Sequence, residues 1–116
     1  MTKADIVTYL ATLGYTKVVN VLPIEKLPIS QADLFYTLQP VSIIDPLEET
    51  GNVIVYELRI SYKTLDDAER DAKFANFVTV KTSLEGKGGL TFISNPSFKS
   101  IPDNRSVGTI QFYLFH

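Results

Sequence analysis

Residues 52–63 read Asn52-Val53-Ile54-Val55-Tyr56-Glu57-Leu58-Arg59-Ile60-Ser61-Tyr62-Lys63, and the alternation in this stretch decides the fold. Ile54, Tyr56, Leu58, Ile60 and Tyr62 fall on one face, against Val53, Val55, Glu57, Arg59, Ser61 and Lys63 on the other. A period of two held this long predicts a β-strand rather than a helix. One face is wholly apolar and belongs against a core. The other is half apolar and half charged, which predicts cover over it only near Val53 and Val55.

Thr64 follows the strand directly as the expected helix cap, with Asp66 and Asp67 in the next turn, where carboxylates complement the positive end of a helix macrodipole. A helix is therefore expected to begin without a loop and run to about Leu84. Ala68, Ala72, Ala75 and Val78 supply its buried stripe, with Leu65 ahead and Phe74 and Phe77 flanking. Small alanines there would let the helix sit close on a sheet. Glu85-Gly86-Lys87-Gly88-Gly89 should end it. Residues 90–93, 98–101 and 107–115 read as three further strands, the last two joined by a turn at Pro102-Asp103-Asn104. In the final strand Ile110, Phe112 and Leu114 oppose Thr109, Gln111, Tyr113 and Phe115.

Upstream, Thr2 and Asp5 have the spacing of a capping box, and Ile6, Leu10 and Leu13 with flanking Val7 and Tyr9 predict a helix over 3–13, stopped by Gly14. Residues 17–22 are β-branched and apolar. Pro23 and Pro28 then bracket 24–27, so this strand should leave the sheet along an edge. Residues 33–41 form another strand candidate, broken near Pro40. A polar turn over 45–52 carries Glu48 and Glu49. The element order predicts a single α+β domain over 1–116, a mostly antiparallel sheet with two helices packed on one face.

The chain has 116 residues, 45% of them hydrophobic, with 11 Lys+Arg against 13 Asp+Glu. Its mass is 13.0 kDa and its pI about 5.3. One core fits this length and two do not. The net charge of -2 has the wrong sign for a dedicated polyphosphate binder. No Cys is present, which removes disulfides and thiolate chemistry, and the single His is His116. A triad, a zinc site or a Cys-His dyad cannot be assembled within one such chain. The absence of a charged, apolar leader pattern and of any apolar run near ~20 residues predicts a cytoplasmic protein with no membrane contact.

The remaining constellations have ordinary readings. Asp66, Asp67, Glu69 and Asp71 serve a first helical turn rather than a metal. Gly86-Lys87-Gly88-Gly89 comes after a helix, whereas a phosphate loop comes after a strand and opens one. Phe112-Tyr113-Leu114-Phe115 lacks the basic neighbours of a base-stacking platform. No catalytic, cofactor-binding or metal residue is predicted, and no cofactor. Val53, Val55, Tyr113 and Phe115 remain as apolar residues on the half-charged face, which favours self-association or docking over catalysis.

The long strand with Tyr56, Arg59 and Tyr62, running straight into a helix that opens Asp66-Asp67-Ala68 and ends at Leu84, resembles the tail terminator family of long-tailed bacteriophages, also called minor capsid or tail-completion proteins. The N-terminal helix and the closing strands extend the resemblance over nearly the whole chain in element order and length. Residues 23–46 do not align with family members. The resemblance implies a non-enzymatic virion protein forming a ring, usually a homohexamer, that caps the tail tube protein and meets the head connector protein. Assembly in the host cytoplasm, incorporation at the tail-head junction, and DNA passing through the lumen without specific binding go with it. Glu48, Glu49, Val53, Val55, Tyr113 and Phe115 are the residues expected at the subunit or tube interface. A sheet-based binding module for nucleic acid or peptide is the competing expectation.

Overall fold

The computed structural model describes residues 2–18, 33, 35–44, 53–102 and 104–115, with backbone alone at 42–44, 53 and 115. The expected strand beyond residue 18, Pro23, Pro28, the turn over 45–52 with Glu48 and Glu49, Asp103 and His116 lie outside the described residues. The elements in chain order are α1 (Lys3–Thr12), β1 (Lys17–Val18), β2 (Phe35–Ile44), β3 (Val53–Lys63), α2 (Asp67–Lys87), β4 (Leu90–Phe92), β5 (Ser97–Ile101) and β6 (Arg105–Phe115). The class is α+β, with two helices and one six-stranded sheet.

The sheet is mixed. Its order is β1-β2-β3-β6-β4, with β5 also beside β6. β3 and β6 pair antiparallel from Val53↔Phe115 to Lys63↔Arg105 without a break. The parallel pair is β1 with β2, through Lys17↔Phe35 and Val18↔Tyr36. This corrects the antiparallel expectation at one edge. A parallel neighbour needs a crossover of a dozen or more residues, and the interval between Val18 and Phe35 is long enough for one.

Pro40 does not break β2. It pairs with Tyr56, and the register shifts between Pro40 and Ser42. Since β1 reaches only Phe35 and Tyr36, no described strand lies on Pro40's other side to demand a donor. The bulge at exposed Val41 displaces the pairing by one residue, so that Ser42 stands opposite Val55.

β4 and β5 together form one interrupted strand along β6. Leu90 pairs with Leu114, and Ser97 pairs with Thr109 after a two-residue slip. Ser94 at the interruption accepts the Gln111 amide at 3.0 Å, and the Ile93 amide donates to the Gln111 carbonyl at 3.0 Å. The hairpin turn before β6 uses Asn104 in the left-handed region, at φ 57°.

The first helix obeys its capping signal. The Asp5 amide donates to the Thr2 hydroxyl at 3.2 Å, and the Thr2 amide donates to the Asp5 carboxylate at 2.9 Å. Those hydrogen bonds, the backbone one first, hold the Asp5 carboxyl below its usual range. Ile6 and Leu10 are buried, whereas Leu13 is the C-cap and is exposed.

The second helix departs from expectation at three points. Its N-cap is Asp66, whose carboxylate accepts the Glu69 amide at 2.8 Å. Thr64 instead shares a buried 2.9 Å hydrogen bond with the Ser106 hydroxyl, and its amide donates to the Asn104 carbonyl. The helix also extends to Lys87, so that Gly88 and Gly89, both at positive φ, mark its end. Its buried residues are Phe77, Val80 and Leu84. Ala68, Ala72, Ala75, Phe74, Val78 and the preceding Leu65 are exposed.

One hydrophobic cluster joins Ile6 and Leu10 of α1 and Phe77, Val80 and Leu84 of α2 to Tyr36, Leu38, Tyr56, Leu58, Ile60, Tyr62, Ile110, Phe112 and Leu114. The strand residues in it are all even-numbered, as alternation requires.

Candidate functional site

The odd-numbered face of the sheet holds the residues expected at an interface. Val55 and Tyr113 are register partners on adjacent strands, and so are Val53 and Phe115 one row further out. The alternation that puts Val53 and Val55 on one face of β3 therefore puts Tyr113 and Phe115 on the same face of β6. Val55 is buried within the single chain, at 4% exposure, while Tyr113 is half-buried. Glu48 and Glu49 belong to the connection between β2 and β3, outside the described residues.

Moving along this face, the next row crosses Gln39, Glu57 and Gln111, and the Gln111 amide nitrogen donates to the Glu57 carboxylate at 2.9 Å. Thr37, Arg59 and Thr109 make up the row after it. Beyond them lies a second apolar patch, where Val107 is buried between Phe35 and Ile101. Ser61, beside Val107, is also buried, and its hydroxyl has no hydrogen-bond partner. The face is thus apolar at both ends and polar in the middle, whereas cover was expected at one end alone.

Apart from Arg59, the odd face carries its cations at the second patch. Lys63 pairs with Arg105, and Lys99 pairs with Val107. Lys17 stands over the Phe35 ring at 5.5 Å. Lys17, Lys63 and Lys99 are exposed.

A polar knot binds the ends of several elements near the same end of the sheet. The Asp33 amide donates to the Ser61 carbonyl, and the Asp33 carboxylate accepts the Lys63 amide at 3.3 Å and pairs with the Lys73 ammonium at 3.0 Å. Asp33 sits at φ 75°, a conformation that short polar side chains tolerate best among non-glycine residues. Close by, the Tyr15 and Tyr62 hydroxyls share a buried 2.9 Å hydrogen bond. Burial pushes both phenols above their usual value, so both stay protonated at neutral pH and serve as hydrogen-bonding groups. Nothing in the residue pattern marked Tyr15, Tyr62 or Asp33 as partners, because 18 to 47 residues separate them.

An open groove of about 540 Å³ lies between α1 and the end of α2, lined by Asp5, Thr8, Tyr9, Thr12, Lys87, Gly88 and Gly89. The Lys87 ammonium stands 4.5 Å from the Tyr9 ring centroid, while the Asp5 carboxylate is held by its cap. Among the described residues no group of three or more His, Cys, Asp or Glu could hold a metal ion, and no helix is long and apolar enough to cross a membrane. No family model matches this chain, and no curated protein matches it.

Proposed function

We propose that this chain is a non-enzymatic assembly subunit of the tail-terminator kind, which closes into a homohexameric ring, caps the tail tube protein and meets the head connector protein. In this reading both helices pack on the even-numbered face, a placement supported by the cluster shared between their buried residues and the even strand positions. The odd face and the strand ends are left for neighbours. The observation that carries the reading is the register of β3 with β6, which sets Val53, Val55, Tyr113 and Phe115 together beside the β2–β3 connection. That grouping gives one apolar end next to a segment bearing Glu48 and Glu49. DNA would cross the lumen without specific binding, since acidic side chains there repel phosphate. The protein would assemble in the host cytoplasm and finish at the tail-head junction.

Light scattering coupled to gel filtration, over a concentration series, tests the ring. Six copies of 13.0 kDa, about 78 kDa, are expected. A tube-capping assay extends the test, because added protein should stop growth of a polymerising tail tube. A stable monomer that leaves tube growth unchanged and retains single-stranded nucleic acid on a filter would replace this reading with that of a binding module.

A further inference from the structure

The fold separates charges that the sequence interleaves. On the odd face the described residues place the exposed Lys17, Lys63 and Lys99 at one end, while the carboxylate of Glu57 in the middle of the face is bonded to Gln111. At the same end of the sheet, directly after Lys63, the first turns of α2 present Asp67, Glu69 and Asp71. The cations among those turns are engaged within the chain. Arg70 donates to the Phe98 carbonyl at 3.0 Å and to the Ser100 hydroxyl at 2.8 Å, and Lys73 pairs with Asp33. Asp67 and Asp71 are exposed, as are Lys17, Lys63 and Lys99.

We infer that the lysine end of the odd face is the docking surface for a second copy of this chain, which presents the acidic first turns of its α2. The inference rests on the ring reading and on the helices lying on the even face. A two-fold contact centred on this end of the odd face would set lysines against lysines, and like charges opposed across an interface are strongly unfavourable. A front-to-back contact sets them against carboxylates. Such a contact is heterologous, the kind that generates a ring when its rotation closes. Both charged surfaces lie at one end of the sheet, so successive copies align without inverting.

The test uses two charge variants, Lys63→Glu/Lys99→Glu and Asp67→Lys/Asp71→Lys, each with exposed side chains, and tracks mass by light scattering. Each variant alone should associate roughly 100-fold more weakly than the parent, through like-charge repulsion. Mixed one to one they should assemble again, because acidic fronts then meet basic backs in alternation, and six places accommodate alternation. Circular dichroism melts check that each variant is folded; Lys63→Gln/Lys99→Gln or Asp67→Asn/Asp71→Asn, each expected to weaken association about tenfold, replaces the variant of the same surface that is not. Parent-like assembly of both folded variants overturns this contact and leaves the ring intact. Two impaired variants that do not restore each other overturn it as well. A parent that stays at 13.0 kDa at every concentration, with or without a tail tube, overturns the ring and this contact together. Loss of nucleic-acid retention by the lysine variant, with assembly unchanged, assigns the surface to phosphate instead.

Discussion

The ring of Phe77 lies flat on Gly108, so that a methyl group built on this glycine would come within 2.7 Å of the ring's Cγ. Close approach of α2 to the sheet is achieved from the strand side, by the absence of a side chain on β6. Gly108→Ala should therefore destabilise the protein by about 1–3 kcal/mol through overpacking. Phe77→Ala should cost about 3–5 kcal/mol through the cavity it leaves. In the double variant the alanine methyl enters space the ring has vacated, and the Gly108 penalty should vanish. Urea unfolding of the four proteins checks this; additive losses would mean that the Gly108→Ala penalty does not come from the ring.

Tyr15 and Tyr62 meet edge to face, with hydroxyls 2.9 Å apart. Replacing one with Phe strands the other hydroxyl in a buried site, at a cost of about 1–3 kcal/mol. Replacing both removes the polar pair together and should cost less than the two single changes combined. Because burial raises both phenol pKa values, the folded state favours the neutral form. Their contribution is complete below the unfolded phenol value of about 10 and is lost as pH rises beyond it. Alkaline unfolding should consequently be shallower in Tyr15→Phe/Tyr62→Phe, measured by melts between pH 9 and about 12.

The helix at 67–87 shows what was legible and what was not. Its existence was implied by the strand ending in a run of acids, but the face it buries was not. Two apolar sets share the segment at helical spacing, Ala68-Ala72-Ala75-Val78 and Phe77-Val80-Leu84, and the larger side chains win because they bury more apolar area. Gly108, a glycine inside a strand pattern, was the available sign that something bulky sits over β6. The α1 cap and the β3–β6 faces were legible because they depend on neighbours within a few residues. The parallel β1–β2 pair and the Asp33 knot depend on contacts across the chain, which local periodicity does not encode. Ala72→Lys should leave stability within about 0.5 kcal/mol, whereas Leu84→Ala should lose about 2–5 kcal/mol. A large loss from Ala72→Lys in thermal melts of dilute protein would return the alanine stripe to the core.

Val55 and Tyr113 stand opposite each other on neighbouring strands but differ in exposure, and that difference separates folding from assembly. Val55 is already buried in the isolated chain, so Val55→Ala should cost about 2 kcal/mol of fold stability, from two lost methyl groups and the space they leave. Tyr113 is half-buried and has area left to give to a neighbour. If the Val53, Val55, Tyr113 and Phe115 end meets another subunit or the tube, Tyr113→Ala should weaken that association by about 2 kcal/mol, as truncation of a buried interface tyrosine does. Glu48→Lys/Glu49→Lys, in the adjoining connection, should leave the melting temperature unchanged and impair tube capping or DNA passage. Melting temperature and capped-tube length, measured on all three variants, sort the outcomes. Tyr113→Ala and the double lysine variant capping tubes as well as the parent would move the contact to another surface, while Val55→Ala would still report on the fold.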